Sequence, residues 1–177
     1  MNLSPKVGPL VAELLSGLTA LFLVYIHLHG ISFGGIENLP SGAFLPLAVL
    51  AWISGTFFDL IRNLFVESFL DCVARRFGRL GVVTSLVGSE ELNWAFFFNG
   101  DRDRLANLES YFWSFYLLDF DMAIAILLAI LLTIFIPNGF LDIKWRVGLV
   151  VVALLFAFDA ISLRKEIKGL ISYEKPT

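Results

Sequence analysis

Cysteine, histidine and charge are all scarce in this 177-residue chain. Its single cysteine, Cys72, excludes an intrachain disulfide and leaves no thiol set for a zinc site. Its two histidines, His27 and His29, stand one residue apart. On a helix they point to different sides, so they make a poor metal pair and read as interfacial residues near lipid headgroups. Charged residues make up 16% of the chain and the net charge is −3, which leaves no basic footprint for nucleic acid. No H-E-x-x-H, G-x-S-x-G, P-loop or dinucleotide fingerprint occurs, so neither an enzyme nor a cofactor is expected. Asp119-Phe120-Asp121 is a D-x-D pair with no basic residues placed beside it to hold a phosphate.

What the chain has instead is apolar length. Hydrophobic residues form 58% of it, and its mean hydropathy is +0.80. Four runs, 7–27, 43–64, 120–137 and 147–163, are long enough to cross a bilayer, since about 20 apolar residues at 1.5 Å each match the hydrocarbon thickness. Inside that layer only a helix or a closed barrel satisfies its own backbone, and the alternation a barrel needs is absent. The expected fold is an all-α membrane protein, an up-down-up-down bundle of four helices. Lys6 and the apolar stretch behind it resemble a signal peptide at first sight. Glu13 interrupts that stretch and no small-residue cleavage pattern follows, so the first run reads as an uncleaved span.

The basic residues orient the bundle. The 27–41 loop carries no Lys or Arg, and the short third loop carries Lys144 and Arg146. Placing both termini and the 65–118 segment in the cytoplasm puts 11 of the 13 basic residues inside. The inner membrane of a bacterium is the expected home, and the lipid bilayer the first partner.

The 65–118 segment has helical character of its own. Phe65, Phe69, Cys72, Val73, Phe77 and Leu80 recur at helical spacing, and Asp71 precedes Arg75 by four in the favourable order. The second run therefore extends as a helix to about Arg79, a projection of about 22 Å at the helical rise. A second helix from Arg102 to 118 runs directly into the third span, and the two are expected to pack as a stalk through Phe69, Val73, Leu108 and Phe112. A short helix, 90–98, lies between them and carries the aromatic run from Trp94 to Phe98. Tyr111, Phe112, Trp113, Phe115, Tyr116 and Phe120 crowd the entry to the third span and suggest a headgroup-level anchor; Tyr25 and Trp145 do so at the opposite side.

Four acids fall inside or at the edge of the spans: Glu13, Asp59, Asp121 and Asp159. Each costs a few kcal/mol at the bilayer centre unless paired or hydrated. With the orientation above they form one layer in the cytoplasmic half. Two arrangements satisfy them. In one, Asp59 pairs with Arg62 or Asn63, Asp159 reaches Arg164 or Lys165, and Glu13 seeks a partner on another helix. In the other, the layer lines a hydrated vestibule for cations or protons.

Small residues mark helix contacts: Ala12, Ser16 and Ala20 in the first span, Ala51 and Gly55 in the second, Ala123, Ala125 and Ala129 in the third. They serve packing within one chain or within a homo-oligomer. Together these features suggest a non-enzymatic membrane subunit whose stalk docks a cytosolic protein through Arg75, Arg76, Arg79, Trp94, Phe97, Arg102 and Arg104. A bacterial stress or phage-defence setting would suit that layout. The alternative is a small oligomeric channel or membrane-permeabilising effector built on the acidic layer.

Overall fold

A computed structural model describes residues 7–30, 41–77, 114–136 and 139–172. The described residues are helical, and four of the helices are long and apolar enough to cross a membrane. Helix α1 spans Val7–His29. Gly30 ends it with φ at +73°, its N–H returning to the Ile26 carbonyl at 2.8 Å. A residue with a Cβ is strained in that left-handed conformation, which is why glycine closes the helix.

A 3₁₀ turn, Ser41–Ala43, leads into α2. This helix runs as Phe44–Ile61, widens into a π turn over Arg62–Glu67, and resumes as Ser68–Phe77. Helix α3 covers Ser114–Phe135 and α4 covers Ile143–Ser172. Asp142 caps α4, its carboxylate accepting the backbone N–H groups of Lys144 and Trp145, both at 3.0 Å.

Helix α1 packs on both α2 and α3, and α3 packs on α1, α2 and α4. The α3 helix is therefore the most enclosed, with 61% of its apolar window buried against 11% for α4. Contact positions run in opposite senses along α1 and α2. A Cβ built on Gly17 would fall onto the Ala51 carbonyl, and one on Gly55 onto the Glu13 carbonyl. Only glycine lets the two backbones come this close. Ala12, Ser16 and Ala51 extend the same narrow seam and are almost fully buried. Helices α1 and α3 meet start to start, Gly8 against Ser114, and end to end, His27 against Ile136.

The core falls into three apolar clusters strung along α3. Tyr116, Leu117 and Phe120 pack with Ala12, Leu70, Ala160 and Ile167. Ile124 and Ala125 meet Phe58. Ile126, Ala129 and Ile130 meet Leu23 and Ala153.

Three expectations need correcting. Phe69 does not pack inward: it is 66% exposed, and Leu70 is buried in its place. The π turn is the cause, because it takes up one residue more than an α turn and brings Val66, Leu70 and Val73 onto the inner face. Leu108 and Phe112 lie outside the described residues. Tyr116 and Phe120 are not headgroup anchors but core residues, at 0% and 4% exposure, meeting edge to face at 5.1 Å. Helix length also exceeds the apolar runs, since α4 begins at Ile143 and continues to Ser172.

Candidate functional site

Where α2 passes α3, an arginine stands buried between two carboxylates. Asp59 and Arg62 sit one turn apart on α2, close enough for an ion pair within the helix. Asn63 donates its amide to the second Asp59 oxygen at 2.9 Å, which fixes that carboxylate from the other side. The other end of the guanidinium reaches across to α3, where Arg62 Nη1 donates to Asp121 Oδ1 at 2.8 Å. The side chains of Arg62 and Asp121 are 3% and 1% exposed. Coulomb attraction is strong in such a medium and each unpaired charge is costly, so the pair pins the register of α2 against α3.

The pairing leaves polar capacity unused. Asp121 Oδ2 and Arg62 Nε are buried without a hydrogen-bond partner among the described residues. Two carboxyl groups surround one guanidinium.

Glu13 itself bridges α1 and α2. Its Oε2 accepts from Trp52 Nε1 at 2.8 Å and lies 3.3 Å from the Thr56 hydroxyl. That hydroxyl is 3.0 Å from the Trp52 carbonyl, so its one proton is divided between two acceptors. Gly55 belongs to the same place, since its missing side chain lets α2 lie on the Glu13 backbone.

Asp159 lies apart from this cluster. It is exposed on α4 and lies close to the buried Asp119 of α3. Arg164, one turn further along α4, points into the core at 1% exposure, between Ala160 and Ile167. Of the four acids read from the sequence, Asp59 and Asp121 thus share Arg62, Glu13 joins a neighbouring seam, and Asp159 faces Asp119.

Sequence reasoning missed three contributors. Asp119 was visible only as part of a D-x-D pair. Gly17 stood beside Ser16 with nothing to mark it as a backbone contact. His27 was read as interfacial but is fully buried, its Nε2 donating to the Ile136 carbonyl at 3.0 Å. A carbonyl only accepts, so Nε2 carries a proton, and Nδ1 is buried without a hydrogen-bond partner among the described residues. Gly139 lies flat on this ring, leaving no room for a side chain. His29 is exposed and meets Tyr25 at a tilt, with ring centroids 4.8 Å apart and 59° between the planes.

The residues expected to dock a partner divide differently. Arg75 and Arg76 lie on the last turns of α2, and Arg76 is exposed. Arg79, Trp94, Phe97, Arg102 and Arg104 lie outside the described residues. Among the described residues no three His, Cys, Asp or Glu side chains converge to hold a metal ion.

Comparison with protein-family models, with curated proteins and with solved structures finds no match to this chain.

Proposed function

We propose that this chain is a non-enzymatic membrane subunit that docks a soluble protein on the cytoplasmic face of a bacterial inner membrane. It crosses the bilayer up-down-up-down, with both termini and the 65–118 segment inside, and works as a homo-oligomer. The observation that carries the reading is the length of α2. The helix does not stop where its apolar run stops at 64, but goes on through the π turn to Phe77 with Arg75 and Arg76 on its last turns. A helix sustained beyond the membrane, with cations on it, presents a rigid surface for a partner.

The state of the acids supports the same reading. Asp59, Asp121 and Glu13 each hold a protein group, and their role is to join helices rather than to line water. The contacts along α1, α2, α3 and α4 favour alternating crossings, and the distribution of Lys and Arg favours the cytoplasmic placement of the termini.

Reversing charge at Arg75, Arg76 and Arg79 together is expected to abolish co-purification with the cytosolic partner while leaving membrane insertion intact. Planar-bilayer recording of the wild type, Glu13→Gln, Asp59→Asn and Asp159→Asn provides the opposing test. Robust cation currents that disappear in these variants would sink the docking reading.

A conducting homo-oligomer is the second reading, favoured by one observation. Asp159 is exposed on the most lipid-accessible helix. A carboxyl group in that position gains from being covered by a second copy or by water.

A further inference from the structure

The end of the molecule where α1 and α3 finish holds a groove of about 440 Å³, lined by Leu23, Ile26, Phe140, Leu141, Trp145 and Leu149. The indole N–H of Trp145 is the one polar side-chain group in that lining. Leu23 and Leu141 form a closed floor, at 8% and 6% exposure, while Phe140 and Trp145 stand open at 64% and 59%. The groove thus has buried leucines and exposed rings in its wall. Its volume falls at the small end of the range that holds organic ligands, which is about 300–1,000 Å³.

Two cations neighbour its Trp145 in sequence. Lys144 and Arg146 sit on either side of Trp145, and they are the two basic residues that the positive-inside distribution leaves on the wrong side. Arg146 is partly engaged, Nη2 donating to the Thr133 carbonyl at 3.0 Å and closing the last turn of α3. A guanidinium has five N–H donors, so most of its capacity remains. Lys144 is exposed. The nearest acid in sequence, Asp142, is committed to the backbone of α4 through one oxygen, and neither cation forms an ion pair with a described residue.

We propose that this groove holds one acyl chain of an anionic phospholipid whose phosphate is met by Lys144 and Arg146. The apolar slot supplies the place for the chain and the two cations supply the charge complement. Trp145 stands at the boundary between them, where an indole is apolar on its faces and polar at its edge. The inference is independent of partner docking and needs only that this end lies at a bilayer surface.

Trp145 reports on the site directly. The full chain is placed in phosphatidylcholine vesicles containing a rising share of phosphatidylglycerol brominated on one acyl chain, and in a matched series with brominated phosphatidylcholine. Quenching at Trp145 is read as the difference between wild type and Trp145→Phe. Brominated phosphatidylglycerol is expected to saturate the quenching at a lower share than phosphatidylcholine, by about fivefold for each of the two cations at a membrane surface. Lys144→Gln, an exposed change, is expected to cut that preference by about fivefold. Leu149→Phe, which fills the slot, is expected to weaken quenching by both lipids. Quenching that rises in proportion to either lipid and ignores Lys144→Gln would show ordinary bilayer contact and overturn the proposal. Absence of quenching by both lipids would show that protein covers the groove, from a second copy or from this chain, and would overturn it equally.

Discussion

The two ends of this helical assembly are joined by different physics. At the end where α1 and α3 begin, the joint is charged: Arg62 links α2 to Asp121 of α3. At the end where they finish, the joints are backbone carbonyls and contact surfaces. His27 donates to the Ile136 carbonyl, the Phe140 N–H to the His27 carbonyl, and Gly139 lies on the imidazole. A charged joint specifies partners sharply, because a misplaced carboxylate in a low-dielectric layer is expensive. A backbone joint depends on shape, since every residue offers the same carbonyl and only the absence of a side chain admits the neighbour. One end therefore selects the register of the helices and the other selects their closeness.

The largest test of that contrast is Arg62→Met, which leaves Asp121 buried without its partner. A loss of about 3–5 kcal/mol is expected, read as an earlier loss of helical signal when the detergent-solubilised protein is titrated with a denaturing detergent. Combining it with Asp121→Leu should return much of that loss, because both charges then disappear together. A single variant as stable as the wild type would show that charge does not hold this end.

A smaller effect is expected at the glycine seam. Gly17→Leu or Gly55→Leu forces α1 and α2 apart, at about 1–3 kcal/mol each. The two placed together should cost less than their sum, since the first already opens the seam. Full additivity would mean that the two positions act as separate contacts.

At the other end, His27→Leu keeps the volume but removes the donor to Ile136, at about 1–2 kcal/mol by the same titration. Loss as large as at Arg62 would erase the distinction between the two ends. Glu13→Gln comes last. The amide oxygen still accepts from Trp52, so the cost should be about 1 kcal/mol or less, with Trp52 fluorescence little changed. A collapse of the fold here would place Glu13 with the charged joint instead of the seam.

How much of this could be read from the residues depended on the distance over which each feature acts. The spans were legible because a run of apolar residues is a local property and the bilayer fixes its length. Asp59 beside Arg62 was legible for the same reason, one helical turn being enough to define the pair. Asp121 as the second partner was not, because it is brought in by the packing of two helices far apart in sequence. The small residues of the α1–α2 seam showed as a pattern, yet Gly17, the closest contact, had no periodic companion. His27 looked interfacial from its place at the end of an apolar run, and only the fold of residues 139–140 over it makes it interior. Helix ends also exceeded the apolar runs, since hydropathy marks where lipid would be and not where backbone hydrogen bonding stops. Asp142 starts α4 ahead of its apolar stretch by capping, a signal that hydropathy does not carry.

The wide turn at Arg62–Glu67 has a consequence for how this gene can change. Across it the chain contains one residue more than an unbroken α-helix would need to keep Val66, Leu70 and Val73 in phase with Phe58 and Arg62. That surplus makes the segment a buffer for length. Losing a single residue here would convert the wide turn into an ordinary one and leave both flanks facing as they do now. The same loss elsewhere in α2 would swing everything beyond it by about 100° about the axis, carrying Val66, Leu70 and Val73 off the inner face.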